Sequence, residues 1–155
     1  MTISNNQRRK MRSAARFFAV QALFQMEHSD QSVDRVMAEF ENHRFAEEFD
    51  DHAMLEGDSA LFQALLEGAV ERQSEIDKMT DRALVAKWPL GRIDPTLRAL
   101  FRAAGAELLA KDTPPKVVIT EFVDVARAFF PESDEPKFTN AVLDHMAREA
   151  QPDAF

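Results

Sequence analysis

Apolar residues recur at three- and four-residue steps along most of this chain, which is the spacing of one helix face. Ala15, Phe18, Ala19, Ala22, Leu23 and Met26 place a first helix near 9–28. A second runs over 32–48, capped by Ser29 or Ser32, with Val33, Val36, Met37, Phe40 and Phe45 turned inward and the acidic run "EEFDD" at its end. The next stretch, capped by Asp58 or Ser59, buries Leu61, Phe62, Leu65, Leu66, Ala69, Ile76, Met79, Ala83 and Leu84, with a break near Ser74. Pro89 and Gly91 then mark a turn. Asp94 caps the following helix and Pro95 takes its first position, with Leu97, Leu100, Phe101, Ala104 and Leu108 as its stripe. A similar start at "DTPP" opens a helix over 115–130, carrying Val118, Ile119, Phe122, Val125, Ala126 and Phe129. The last, over 135–150, presents Phe138, Val142, Leu143 and Met146. Short connections make neighbours antiparallel, so the pattern predicts a compact all-α bundle.

Composition narrows this further. The chain has 155 residues, 45% of them hydrophobic, which is enough for one domain with a core that needs no metal or disulfide. Four glycines and no tyrosine favour helices over strands. The absence of cysteine excludes disulfides and thiolate metal sites and suits a reducing cytoplasm. No apolar run reaches the roughly 20 residues that a membrane span needs.

Charge is where the chain departs from an ordinary bundle. The net charge is −8, from 19 basic and 27 acidic residues. Yet the first twenty-six residues hold Arg8, Arg9, Lys10, Arg12 and Arg16 and no acid, leaving 14 bases against 27 acids elsewhere. A basic patch attracts phosphate over about a Debye length, ~8–10 Å, while distant acids are screened. Arg9, Arg12 and Arg16 stand at i, i+3 and i+7, so they are expected along one helix face opposite the apolar stripe, joined by Arg8 one turn before Arg12. No carboxylate four positions away relieves them, and such unpaired cations are the footprint of phosphate binding. Two other readings stay open: a solubilising face paired by acids from elsewhere in the fold, and an anionic membrane surface. The basic start followed by "FFAVQALF" also outlines a secretory signal, but Gln21 interrupts it and no small-residue cleavage site follows. As a transit peptide it would be unusual in merging with the folded pattern without a linker.

Catalytic motifs are missing. His28, His43, His52 and His145 lack metal-ligand spacing. Gly57, Gly68, Gly91 and Gly105 are too scattered for a phosphate loop. The consecutive "HSD" at 28–30 does not make a triad, which is defined by spatial roles. No enzyme activity, metal or cofactor is expected.

Five segments, "RSAARFFAVQALFQME", "LEGAVERQSEID", "LRALFRAAGAELLAK", "PPKVVITEFVDVARAFF" and "KFTNAVLDHMARE", resemble in order and spacing the NusB family of bacterial transcription antitermination factors. The likeness spans about 9–150, and "KFTNAVLD" beside the family's K-F-V-N-G-V-L-D is its sharpest piece. It implies about seven helices in two small sub-bundles, forming a single RNA-binding domain over 1–155 with 1–8 as a flexible basic tail. It also implies binding to boxA RNA together with the small ribosomal subunit protein NusE, in a complex with RNA polymerase and other Nus factors. Some members form homodimers that cover the RNA surface, and a homodimer stays open here.

Carried over by position, the family's arginine-rich helix falls on Arg12 and Arg16, with Arg8, Arg9 and Lys10 upstream and Ser13, Ala14 and Ala15 where more arginine is usual. The aromatic facing NusE, commonly Tyr, falls on Phe24. An acidic NusE contact on the fifth helix falls on Leu97, beside Arg98. In the loop "PESDEPKF" the RNA-facing acid falls on Ser133 or Asp134 and the aromatic on Phe138, next to Lys137. Read without the resemblance, Phe138 is as readily the first core residue of its helix. Related modules also precede the catalytic domain of certain rRNA cytosine methyltransferases, but the chain stops at "QPDAF" with no cofactor-binding domain. A protein-only adaptor is the third reading.

Overall fold

The computed structural model describes residues 4–44, 55–87 and 93–155. Among them are seven α-helices: α1 (Asn5–Glu27), α2 (Val33–Glu39), α3 (Leu55–Glu71), α4 (Gln73–Lys87), α5 (Pro95–Ala110), α6 (Pro115–Phe129) and α7 (Glu135–Ala150). A π-helical turn, Phe40–Arg44, continues α2, and a 3₁₀ turn, Pro152–Ala154, follows α7. The expected positions of Phe45, the acidic run at 47–51, His52 and the Pro89–Gly91 turn lie outside the described residues.

Helix starts follow the capping chemistry. The Asp94 carboxylate accepts from Thr96 N at 2.7 Å, with Pro95 at the first position. Ser32, rather than Ser29, caps α2 by accepting from Arg35 N at 3.2 Å. The largest difference is at the N-terminus. Ser4 accepts from Gln7 N at 3.1 Å, and Gln7 Oε1 accepts from Ser4 N at 3.1 Å. This reciprocal box starts α1 at Asn5, so 5–8 are helix rather than tail. The break expected near Ser74 falls at Arg72.

Helix α5 is the hub. It packs against α1, α3, α4, α6 and α7 around one continuous core, in which α1 also meets α3 and α6 directly and α7 meets α4 and α6. The backbones come close where side chains are small. A Cβ added to Gly105 would stand 2.5 Å from Ile76 Cγ2 on α4, so only glycine fits that crossing without displacing Ile76. Phe40, Phe62, Phe101 and Phe122 are fully buried, and truncating a phenylalanine of this kind costs about 3–5 kcal/mol. Phe40 stands at the change of helical pitch, with the Phe18 and Phe62 rings 6.3 and 5.6 Å away.

Candidate nucleic-acid interface

The middle of α1 is buried nearly all round: Ala14, Ala15, Phe18, Ala19, Val20, Ala22 and Leu23 are enclosed among α3, α5 and α6. Its first turns are not. Arg8, Arg9, Lys10 and Arg12 are exposed and have no ion-pair partner among the described residues. Four cations within about one turn, with no acid paired to them among the described residues, make this a strongly positive part of an acidic molecule.

Arg16 does not belong to that surface, and its expected place on the exposed basic face is corrected. It is 2% exposed. Its Nε and Nη2 donate to the two carboxylate oxygens of Glu107 on α5 at 2.8 and 2.7 Å, and its Nη1 lies 3.2 Å from Glu121 on α6. Thr113 donates to Glu107 at 2.8 Å and Ser13 to Glu121 at 3.1 Å. Burial works to lower the guanidinium pKa, but the Glu107 hydrogen bonds and the charges of Glu107 and Glu121 outweigh it, so the pKa is raised. The sequence pattern showed one apolar stripe on this helix. Enclosure on three sides turned Arg16 inward, and its partners came from other helices rather than from i+4.

At the far end of α1, Phe24 is 36% exposed. It helps line a groove of about 480 Å³ with Val20, Gln21, Phe40, Thr96 and Phe129. His28 stacks on its ring at 4.3 Å, with Nδ1 2.8 Å from Phe24 O. Nothing in the spacing of the histidines marked His28 for this role. Arg98 is half-exposed and donates to Glu27 at 2.6 Å. Glu27 also lies 4.0 Å from Arg102, which makes two 3.0 Å hydrogen bonds to Asp77. The Arg102 pKa is raised by the Asp77 hydrogen bonds, against burial and with help from the charges of Asp77 and Glu27. Leu97, expected at a partner contact, is 3% exposed. It is a core residue of the first turn of α5, and the surface there belongs to Arg98.

The α6–α7 loop completes the picture. Ser133 Oγ donates to Phe130 O at 2.8 Å, so its hydroxyl holds the turn. Asp134 occupies the N-cap of α7 without making a side-chain cap and is exposed, as is Lys137. Of the two candidate positions, Ser133 spends its hydroxyl on the turn, and Asp134 offers an exposed carboxylate. Glu132 adopts a left-handed φ of 57°. Phe138 is half-buried, its ring edge-on to Phe101 at 6.3 Å, so the core and surface readings each describe part of it.

Two contacts locate this loop relative to α1. The Arg98–Glu27 and Arg16–Glu107 pairs make α1 and α5 antiparallel. Phe138, seated on Phe101, therefore lies toward the Phe24 end, and Phe129, which stacks on Phe17 at 4.8 Å and lines the Phe24 groove, sets the end of α6 along the same stretch of α1. The loop thus begins beside the Phe17–Phe24 stretch of α1, beyond the basic turns. The candidate residues form a strip, not a pocket. Among the described residues no group of acids and histidines is placed to hold a metal, and no helix is long and apolar enough to cross a membrane.

The model of the NusB family matches residues 13–148. The chain is 47% identical over 149 residues to the transcription antitermination protein NusB of Maricaulis maris (strain MCS10), covering 96% of this chain and 92% of that protein. It is 46% identical over 144 residues to that of Agrobacterium fabrum (strain C58), covering 92% and 87%. The structure superimposes on NusB of T. maritima with a TM-score of 0.70 at 31% identity, covering 93% of this chain and 96% of that one. The solution structure of NusB from Aquifex aeolicus, at 23% identity and a TM-score of 0.68 over 92% and 90%, shares the fold. The chain belongs to the NusB family and is a non-enzymatic transcription antitermination protein.

Proposed function

We propose that the protein binds the boxA element of nascent RNA together with the small ribosomal subunit protein NusE, and so joins RNA polymerase and other Nus factors in the cytoplasm. The observation that carries this reading is the set of exposed cations Arg8, Arg9, Lys10 and Arg12 on the first turns of α1, unpaired among the described residues, in a chain of net charge −8. These hold the phosphate backbone, while Phe138 offers a ring to a base and Lys137 a cation beside it. Phosphate contacts position the strand, and contacts at the loop supply discrimination. NusE docks at the Phe24 groove and Arg98, where loss of the family's usual hydroxyl leaves an apolar contact. A homodimer over the same face would compete with RNA.

Labelled boxA RNA titrated with and without NusE, beside a scrambled strand, tests this. Salt-sensitive binding that prefers boxA and tightens with NusE is the expected result. Equal binding of both strands would remove the specific RNA reading, and no effect of NusE would remove the joint one.

A further inference from the structure

The buried charge cluster at the centre of α1 is unusual in its arithmetic and its place. Arg16 carries one positive charge and Glu107 and Glu121 carry two negative ones, each carboxylate 2.7–3.2 Å from the one guanidinium. An ion pair that is 3% exposed on both sides contributes little net stability compared with apolar residues of the same volume, because desolvation offsets its attraction. What such a pair does provide is geometry. A bidentate guanidinium–carboxylate bond fixes two helices in both distance and rotation. Here one guanidinium fixes three helices. Glu107 is on α5, held from behind by Thr113, and Glu121 is on α6, held again from α1 by Ser13. The cluster lies one turn beyond Arg12, between the exposed cations at one end of the strip and the loop at the other.

We propose that Arg16 is a positioning residue of the RNA interface: clamped by Glu107 and Glu121, it sets α1 against α5 and α6 and so holds Arg8, Arg9 and Arg12 in register with the loop that carries Asp134, Lys137 and Phe138. This rests on the RNA reading above. The guanidinium itself touches no RNA. Its place in an arginine-rich helix makes it look like a phosphate contact, and its function is the reverse, to be withheld from phosphate.

The acidic partner gives a test with opposite signs. Glu121 is at the rim of the cluster, with its side chain 23% exposed. If the cluster matters only through its field, Glu121→Ala removes a negative charge near the RNA and tightens binding. If the cluster positions α1, the same variant weakens binding, by about two- to thirty-fold, the range of coupling carried through contact networks by residues that touch no ligand. Arg16→Gln should weaken binding as well, with the slope of log affinity against log salt unchanged, because no counterion is released at a buried residue.

The full chain is titrated with labelled boxA RNA across a salt series at a temperature where circular dichroism matches the unsubstituted protein. Active molecules are counted by stoichiometric titration, so that partial unfolding is not read as weaker affinity. Weaker binding by Glu121→Ala at an unchanged salt slope supports positioning. Tighter or unaltered binding overturns it, and so does an Arg16→Gln slope shallower by about 0.7, which marks a phosphate contact. If Arg16→Gln does not fold, because Glu107 is left buried and unpaired, the Glu121 variant decides alone. Arg12→Ala is measured alongside. Should it lose affinity while Glu121→Ala does not, the positioning role falls and the RNA reading stands. Should the unsubstituted protein not bind RNA, both fall.

Discussion

Arg12 and Arg16 are one turn apart on one helix and have opposite fates. Arg12 is exposed and unpaired among the described residues, and Arg16 is held between two carboxylates. For a single strand, each neutralised phosphate contributes about −0.7 to the slope of log affinity against log salt. Arg12→Ala is therefore expected to weaken boxA binding and to shallow that slope by about 0.7, leaving the preference over scrambled RNA nearly intact. A salt series that superimposes on that of the unsubstituted protein would make the basic turns a solubility feature. Phe138 should behave in the complementary way. If its ring stacks on a base, Phe138→Ala costs about 1–3 kcal/mol of binding at an unchanged slope. It should also lower the melting temperature, because the ring edge packs on Phe101. A variant that loses stability and keeps its RNA affinity would assign Phe138 to the core alone.

At the scale of the element, the capping box matters because of what it presents. Ser4 and Gln7 satisfy each other's backbone donors, at the start of the helix that goes straight on to Arg8, Arg9 and Lys10. Ser4→Ala should cost about 1 kcal/mol of local helix stability. The expected readouts are faster amide exchange over the first two turns and a modest loss of RNA affinity, with the melting temperature of the core unmoved; unchanged exchange there would show that packing, not the cap, holds those turns. The box was hidden from the sequence because Ser4 is followed by polar residues with no apolar stripe until Met11, so nothing marked the segment as helical. Where a cap and a stripe coincide, as at Asp94, Pro95 and Leu97, the start of the helix was readable to the residue. The π-helical turn at Phe40 had no local signal, since its setting is an aromatic packing with Phe18 and Phe62. The candidate site divides on the same line. Exposed cations at a chain end are local and readable, whereas the burial of Arg16 and Leu97 depends on helices far away in sequence. An i+4 rule cannot find Glu107 or Glu121.

The whole molecule joins these parts through α5 and the end of α6. Phe129 lines the Phe24 groove and stacks on Phe17, and the loop leading to Asp134 and Phe138 begins at the next residue. A partner seated at Phe24 would therefore press on the element that sets the loop, and RNA held by the loop would favour the groove in its partner-bound form. Linkage makes this effect equal in both directions: the factor by which NusE tightens RNA binding must be the factor by which RNA tightens NusE binding. Coupling of this kind is commonly worth 1–3 kcal/mol, so a change of about five-fold or more is expected. Calorimetric titration of each ligand into free and pre-loaded protein measures both factors. Phe24→Ala, at a residue exposed enough to leave helix content intact, should weaken NusE binding and diminish the coupling while RNA binding alone persists. If the pre-loaded and free proteins give identical affinities for both ligands, the groove and the loop are independent sites rather than one joint surface.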